Sequence, residues 1–325
     1  MKFGKLRKFI YSFHVPLFFF LSGMCYSQKK NKEFILRKIK TIYIPYLIFS
    51  IISVVIYTFM GNYMQGNINT NIGFNLLGVL YANPNLGNMQ WNQPLWFLPC
   101  LMIQLILINI IENIIKEKKH KQKIRLLIVI IITVLGYTLS AFKIYLPFQL
   151  EAAMCMSIFT YIGILIKENK QTIKNSNIYQ IITNKKYLIP LFVIITLIIS
   201  CILDGYNETV SVMNDKYGNY IIYLVVSIIM ITNVMLISNL IDKIFKNQKV
   251  LSYIGQNTLW ILLIHKFPIL FFQELCPIIK NVLNESDTLT NNILGIIISV
   301  IVIIMCMICK YIIDIMKKMR NLRCK

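Results

Sequence analysis

The chain has 325 residues, of which 57% are hydrophobic and only 14% charged, and its mean hydropathy is +0.63; a soluble domain carries about 25% charged residues. The charges are unevenly spread, because long uncharged apolar runs alternate with short basic ones, which excludes a water-soluble enzyme and reads as an all-α polytopic membrane bundle. Thirty-four Lys and Arg against 13 Asp and Glu give a formal net charge of +21. These cations fall in short loops between apolar runs, where membrane topology accounts for them, so no nucleic-acid partner is expected.

A spanning helix needs about 20 mostly apolar residues. Nine runs qualify in chain order: Phe9 to Ser27, Thr41 to Met60, Pro94 to Ile115, Ile124 to Ala141, Leu150 to Ile166, Tyr187 to Leu203, Tyr220 to Ile241, Leu251 to Gln273 and Asn292 to Met316. They form one transmembrane domain over residues 1–325. Ile72 to Tyr81 is apolar but too short to cross, and reads as a helix on the membrane surface. The eight cysteines lie mostly inside the apolar runs and show no disulfide spacing. Cys306 and Cys309 form a CxxC within an apolar helix with no second ligand pair, so no metal site is expected.

Short cytoplasmic loops are enriched in Lys and Arg. The loops at 29–40, 116–125, 167–186 and 243–249, and the tail from Lys310, hold most of the positive charge, whereas 61–93 has no charged residue and 204–219 is net acidic. The carboxyl end is therefore expected in the cytoplasm of a plasma-membrane protein. Nine spans then put the amino end outside, although Lys2, Lys5, Arg7 and Lys8 resist translocation. A further helix preceding Met1 would remove this conflict.

His14, in the run FHVPLFFFLSG, and His265, in LLIHKFPIL, are ionisable groups within spans, which are costly unless they face a cavity or a partner. At about 1.5 Å per residue they lie about 8 Å and about 12 Å from the outer ends of their spans. Both are candidates for proton transfer, and an interfacial His14 is an equal reading. Arg37, Lys38 and Lys40 precede TIYIPY at an inner mouth. They can bind cofactor phosphates, but from the sequence alone ordinary positive-inside charge is the better reading. Trp96, in QPLWFLPC, is either a belt anchor or part of a substrate site. Glu151 opens the fifth span, where it can orient a histidine, bind a sugar hydroxyl, or serve as a helix-start carboxylate.

Together FHVPLFFFLSG, the basic run into IPYLIF, QPLWFLPCL and GQNTLWILLIHKFPIL resemble acyltransferase family 3 integral membrane proteins, close to the branch of fucose 4-O-acetylase-like enzymes. The resemblance covers nearly the whole chain in order. It implies about ten membrane helices, acetyl-CoA as acyl donor on the cytoplasmic side, and a cell-envelope glycan or lipid-linked sugar as acceptor. It gives His14, Arg37, Lys40, Trp96 and His265 family positions and Glu151 a looser one, with Lys40 standing where the family often has arginine. Family members also begin with a helix that carries an Arg and a Gly-His pair whose histidine the resemblance makes catalytic. No Gly-His pair occurs here, so a missing first helix and an inactive chain are expectations. An exporter or flippase of lipid-linked sugar, with the two histidines as a proton relay, and a non-catalytic family member are the competing readings.

Overall fold

The computed structural model describes residues 5–60, 69, 71–176, 188–245, 248–270 and 288–323. Among them the chain is mostly helical, and its only extended pairing is one bridge between Ser211 and Lys216. The helices in order are α1 (Lys5–Tyr11), α2 (His14–Met24), α3 (Asn31–Lys38), α4 (Ile44–Met60), α5 (Ile72–Tyr81), α6 (Phe97–Ile115), α7 (Lys121–Ala141), α8 (Leu150–Cys155), α9 (Ser157–Glu168) and α10 (Lys170–Asn175). They continue as α11 (Leu188–Gly205), α12 (Tyr220–Ile244), α13 (Lys249–Gln256), α14 (Thr258–Ile264), α15 (Lys266–Leu270) and α16 (Thr288–Arg323). A π turn, Ile39–Tyr43, joins α3 to α4, and a 3-10 segment, Gln90–Trp96, leads into α6.

The side-chain pattern suits lipid rather than water. On α7 the buried face is Arg125, Val129, Thr133, Gly136 and Ser140, while Leu127, Ile131, Val134 and Leu135 are exposed. Small and polar residues let helices approach and bond, and large apolar ones face the tails. Helices α2 and α9 cross closely. A Cβ on Gly23 would stand 2.1 Å from the Thr160 carbonyl oxygen, and one on Gly163 would stand 2.1 Å from that of Phe20. Thr160 Oγ1 donates to Phe19 O across the same crossing at 3.1 Å.

Six helices among the described residues are long and apolar enough to cross a membrane, or seven when the pair α8 and α9, bent by 58°, is taken as one span. The chain is thus a polytopic membrane bundle, with α6 in the most buried span and α16 in the least. Three of the nine expected spans are interrupted. Phe9 to Ser27 is divided into α1 and α2, Leu150 to Ile166 bends between α8 and α9, and the described part of Leu251 to Gln273 is three short helices. Continuous hydropathy hid these breaks, since apolar residues follow one another across them. The expected short helix forms as α5 with the expected bounds, its first turn capped by the Asn71 side chain, which accepts from Phe74 N at 3.0 Å.

Candidate functional site

Two polar networks close the two ends of the bundle. At the basic end, the Arg125 guanidinium holds Glu112 at 2.5 and 3.0 Å and Glu168 at 2.8 and 3.0 Å. Lys121 Nζ reaches Glu112 at 2.9 Å. From α6, Asn113 Nδ2 donates to Lys29 O at 2.8 Å and Asn109 Nδ2 to Asn31 Oδ1 at 2.9 Å, which fixes the entry to α3. Three loops that the charge pattern assigns to one side of the membrane therefore meet at one end.

Arg37 and Lys40 are exposed on either side of the start of the π turn, and Thr41 Oγ1 donates to Arg37 O at 2.9 Å. Lys38 lies differently, with Nζ 5.2 Å above the Phe34 ring. Two outward cations one turn apart suit phosphate oxygens, whereas Lys38 is engaged by an aromatic face.

The other loops gather at the far end around Glu151, which is 0% exposed. Its carboxylate accepts from Asn83 Nδ2 at 2.6 Å and Leu146 N at 3.0 Å, and it meets the Asp215 carboxyl. Asp215 accepts from Asn85 Nδ2 at 2.6 Å and Ser140 Oγ at 3.3 Å. Two carboxyl groups in hydrogen-bond contact require a shared proton. Burial and then the Glu151 charge push Asp215, in the loop before α12, up to about 8. Ala82, Phe148, Gln149 and Asp215, all non-glycine, hold φ between 48° and 60° within the loops that this network joins. Such conformations are strained and persist where the surroundings over-determine them. With no exposure and both oxygens engaged, Glu151 ties three loops together.

Both histidines sit at helix breaks. His14 opens α2 after the break at Ser12 and Phe13, with Nδ1 2.9 Å from Ile10 O. His265 stands between α14 and α15, with Nδ1 3.0 Å from Ile261 O and from Leu262 O. A ring nitrogen facing a carbonyl must carry the hydrogen, which leaves Nε2 as the basic nitrogen in the neutral form. In both rings Nε2 is thus the nitrogen left to accept a proton.

Trp96 ends the 3-10 segment and is buried. Its neighbour Phe97 meets the rings of Phe18 and Phe19 of α2 at centroid distances of 5.7 and 5.5 Å. On another side, α14 packs against the 3-10 segment that ends in Trp96, as well as against α4. The segment 90–97 thus bears on the helices of both histidines, while Arg37 and Lys40 stand at one end of the bundle and Glu151 at the other.

Sequence reasoning missed Arg125, Glu168, Asp215 and the asparagines that join the loops. Glu112 was the available signal for the first network, as an acid within the apolar run from Pro94 to Ile115. Asp215 gave none, since an acid in a polar loop looks solvated until Ser140 and Asn85 are folded against it. Among the described residues, no group of His, Cys, Asp or Glu is arranged to hold a metal ion.

The chain matches no curated protein and no solved structure. The family model for the acyltransferase domain matches residues 2–312. With that match over nearly its whole length and a multi-pass apolar bundle, the chain belongs to acyltransferase family 3 and is a membrane protein of the acyltransferase class.

Proposed function

We propose that the protein is a plasma-membrane O-acetyltransferase of the fucose 4-O-acetylase-like branch, a single domain over residues 1–325 with its carboxyl end in the cytoplasm. It takes an acetyl group from acetyl-CoA and places it on a hydroxyl of a cell-envelope glycan or lipid-linked sugar. The observation that carries this reading is the pair of histidines, each held with Nε2 as the basic nitrogen and each on a helix packed about the segment 90–97.

Arg37 and Lys40 fit the charge of the donor. They are exposed, lie at the basic end, and stand about one turn apart, Arg37 at the end of α3 and Lys40 in the π turn. There they hold the phosphates of acetyl-CoA, with Lys38 adding charge nearby. Bound acetyl-CoA supplies the thioester acyl group. His14 or His265 takes the proton of the acceptor hydroxyl at Nε2 as the hydroxyl oxygen bonds to the acetyl carbon, the C–S bond breaks, and the proton passes to the departing CoA thiolate, a contribution of about 10²- to 10⁴-fold for general acid–base catalysis. Trp96 gives the sugar an aromatic face. Glu151 acts as a positioning residue, by holding the far-end loops that surround the acceptor.

Membranes carrying the protein are given labelled acetyl-CoA, and label is counted in envelope glycan. Transfer by the parent chain, with a fall of about 10²-fold or more in either His14→Ala or His265→Ala, is the expected result. No label in glycan with the parent chain defeats the activity, and undiminished transfer in both variants defeats the site.

A further inference from the structure

The segment Gln90–Trp96 holds a group that the reading above leaves unused. Its helix is interrupted at Asn92, whose backbone (φ −160°, ψ 73°) is not helical. The Asn92 side chain is 0% exposed, and its Nδ2 donates to Ser53 Oγ of α4 at 3.1 Å. Its Oδ1 is buried with no hydrogen-bond partner. Buried amides are nearly always satisfied, so an enclosed carboxamide with one side engaged and the other bare calls for a partner.

The surroundings indicate which chemistry supplies it. Tyr46, Ser50, Ser53 and Tyr57 follow one another at helical spacing on α4 and are all buried, so this stripe carries hydroxyl groups, of which Tyr46 donates to Val79 O at 2.8 Å and Tyr57 to Gln90 Oε1 at 3.4 Å. Trp91 and Trp96 flank Asn92 in the same segment, and both are buried. A break in a helix within a membrane protein is tolerated where it is enclosed or lines a cavity. Asn92 follows closely on Asn83 and Asn85, so it belongs to the Glu151 end rather than to the end of Arg37 and Lys40. A sugar hydroxyl can donate to the bare Oδ1.

We propose that Asn92 binds the hydroxyl-bearing acceptor sugar, with its free carboxamide side hydrogen-bonded to a sugar hydroxyl and the Ser53 contact holding the amide in place. The proposal rests on the acetyltransferase reading for the identity of the acceptor, but its test does not need turnover. The purified chain in detergent is melted with and without a panel of methyl hexosides, and separately with acetyl-CoA. A hexoside raises the melting temperature of the parent. Asn92→Leu, close in shape but lacking the amide, abolishes that rise while keeping protection by acetyl-CoA. Asn92→Asp, which retains an acceptor oxygen, restores it.

In turnover, Asn92→Leu raises the acceptor KM about tenfold, the loss of roughly one hydrogen bond, and leaves the acetyl-CoA KM unchanged. Equal hexoside protection of the parent and Asn92→Leu overturns the proposal. So does an Asn92→Asp protein that acetyl-CoA still protects but no hexoside does, which also decides the matter if the Leu variant does not fold. A parent chain that binds hexoside but not acetyl-CoA defeats the donor reading instead, and leaves Asn92 standing.

Discussion

Arg125→Met is the sharpest test of the basic-end network. The Arg125 and Glu112 side chains are 2% and 3% exposed, so the substitution strands an acid inside protein. Breaking a buried pair from one side costs about 3–5 kcal/mol. Lys121 remains 2.9 Å from Glu112 Oε2 and is itself partly exposed, which shares the burden and places the loss near the lower limit, about 3 kcal/mol. Glu168 is 39% exposed and returns to water when its partner leaves, so its share is small.

Tryptophan fluorescence during heating in detergent reads the effect. About 3 kcal/mol corresponds to a drop on the order of 6–12 °C for a chain somewhat smaller than this one, and to the lower part of that range here. A second variant separates stranded charge from lost packing. Arg125→Met with Glu112→Met leaves no buried charge, and replacement of a whole buried pair by apolar residues is often neutral. The double variant therefore melts above the single one. A single variant within about 1 °C of the parent, or a double variant that melts below the single, refutes the argument.

Three further outcomes follow from the geometry. Gly163→Ala puts a methyl group 2.1 Å from the Phe20 carbonyl oxygen, so α2 and α9 must separate; a loss of about 1–3 kcal/mol or more is expected, visible as early melting and as proteolysis near the crossing. The Asp215 acid is raised in the fold, so the folded chain keeps a proton that the unfolded chain releases above its ordinary value of about 3.9. Stability from this group is thus complete below about 4, declines as pH rises toward about 8, and is flat above, and Asp215→Asn removes that decline when melting is followed from pH 4 to 9. Acetyl-CoA at about 100 times its Kd adds about 2.7 kcal/mol to the parent's stability. Arg37→Ala with Lys40→Ala reduces this protection at fixed ligand concentration, whereas an exporter indifferent to acetyl-CoA shows no protection to lose.

The membrane class was legible because the lipid core imposes a length and a polarity that composition alone reveals. The grouping of the basic loops was legible in the charge pattern, and the structure brings them together at one end through Lys29, Asn113, Arg125 and Glu168. The breaks were not legible, because hydropathy is blind to backbone geometry. Ser12, Asn257 and Asn92 each lie at a break within or beside an apolar run, and nothing in the run's hydropathy marks which residue stops being helical. The far-end network was equally hidden. Glu151, Asn83 and Asp215 come from three separate loops, and only the fold supplies their contact.

The two histidines either serve the proposed chemistry or brace the breaks, and substitution separates the two. An unbroken apolar helix satisfies its own backbone and gains nothing from a histidine on its face. Ile10 O and Ile261 O, which also accept from Phe13 N and His265 N, each receive the Nδ1–H of the histidine four residues later. That bond fixes the ring and its tautomer together, on two helices that no expected span boundary had separated. Substitution by asparagine distinguishes this from mere packing. Asparagine can still donate to the same carbonyl and so spares the fold, but it offers no basic nitrogen. His14→Asn and His265→Asn proteins that melt like the parent and transfer no acetyl group follow from a basic Nε2. Variants that melt early yet transfer normally per folded molecule would mean that the rings only brace the breaks.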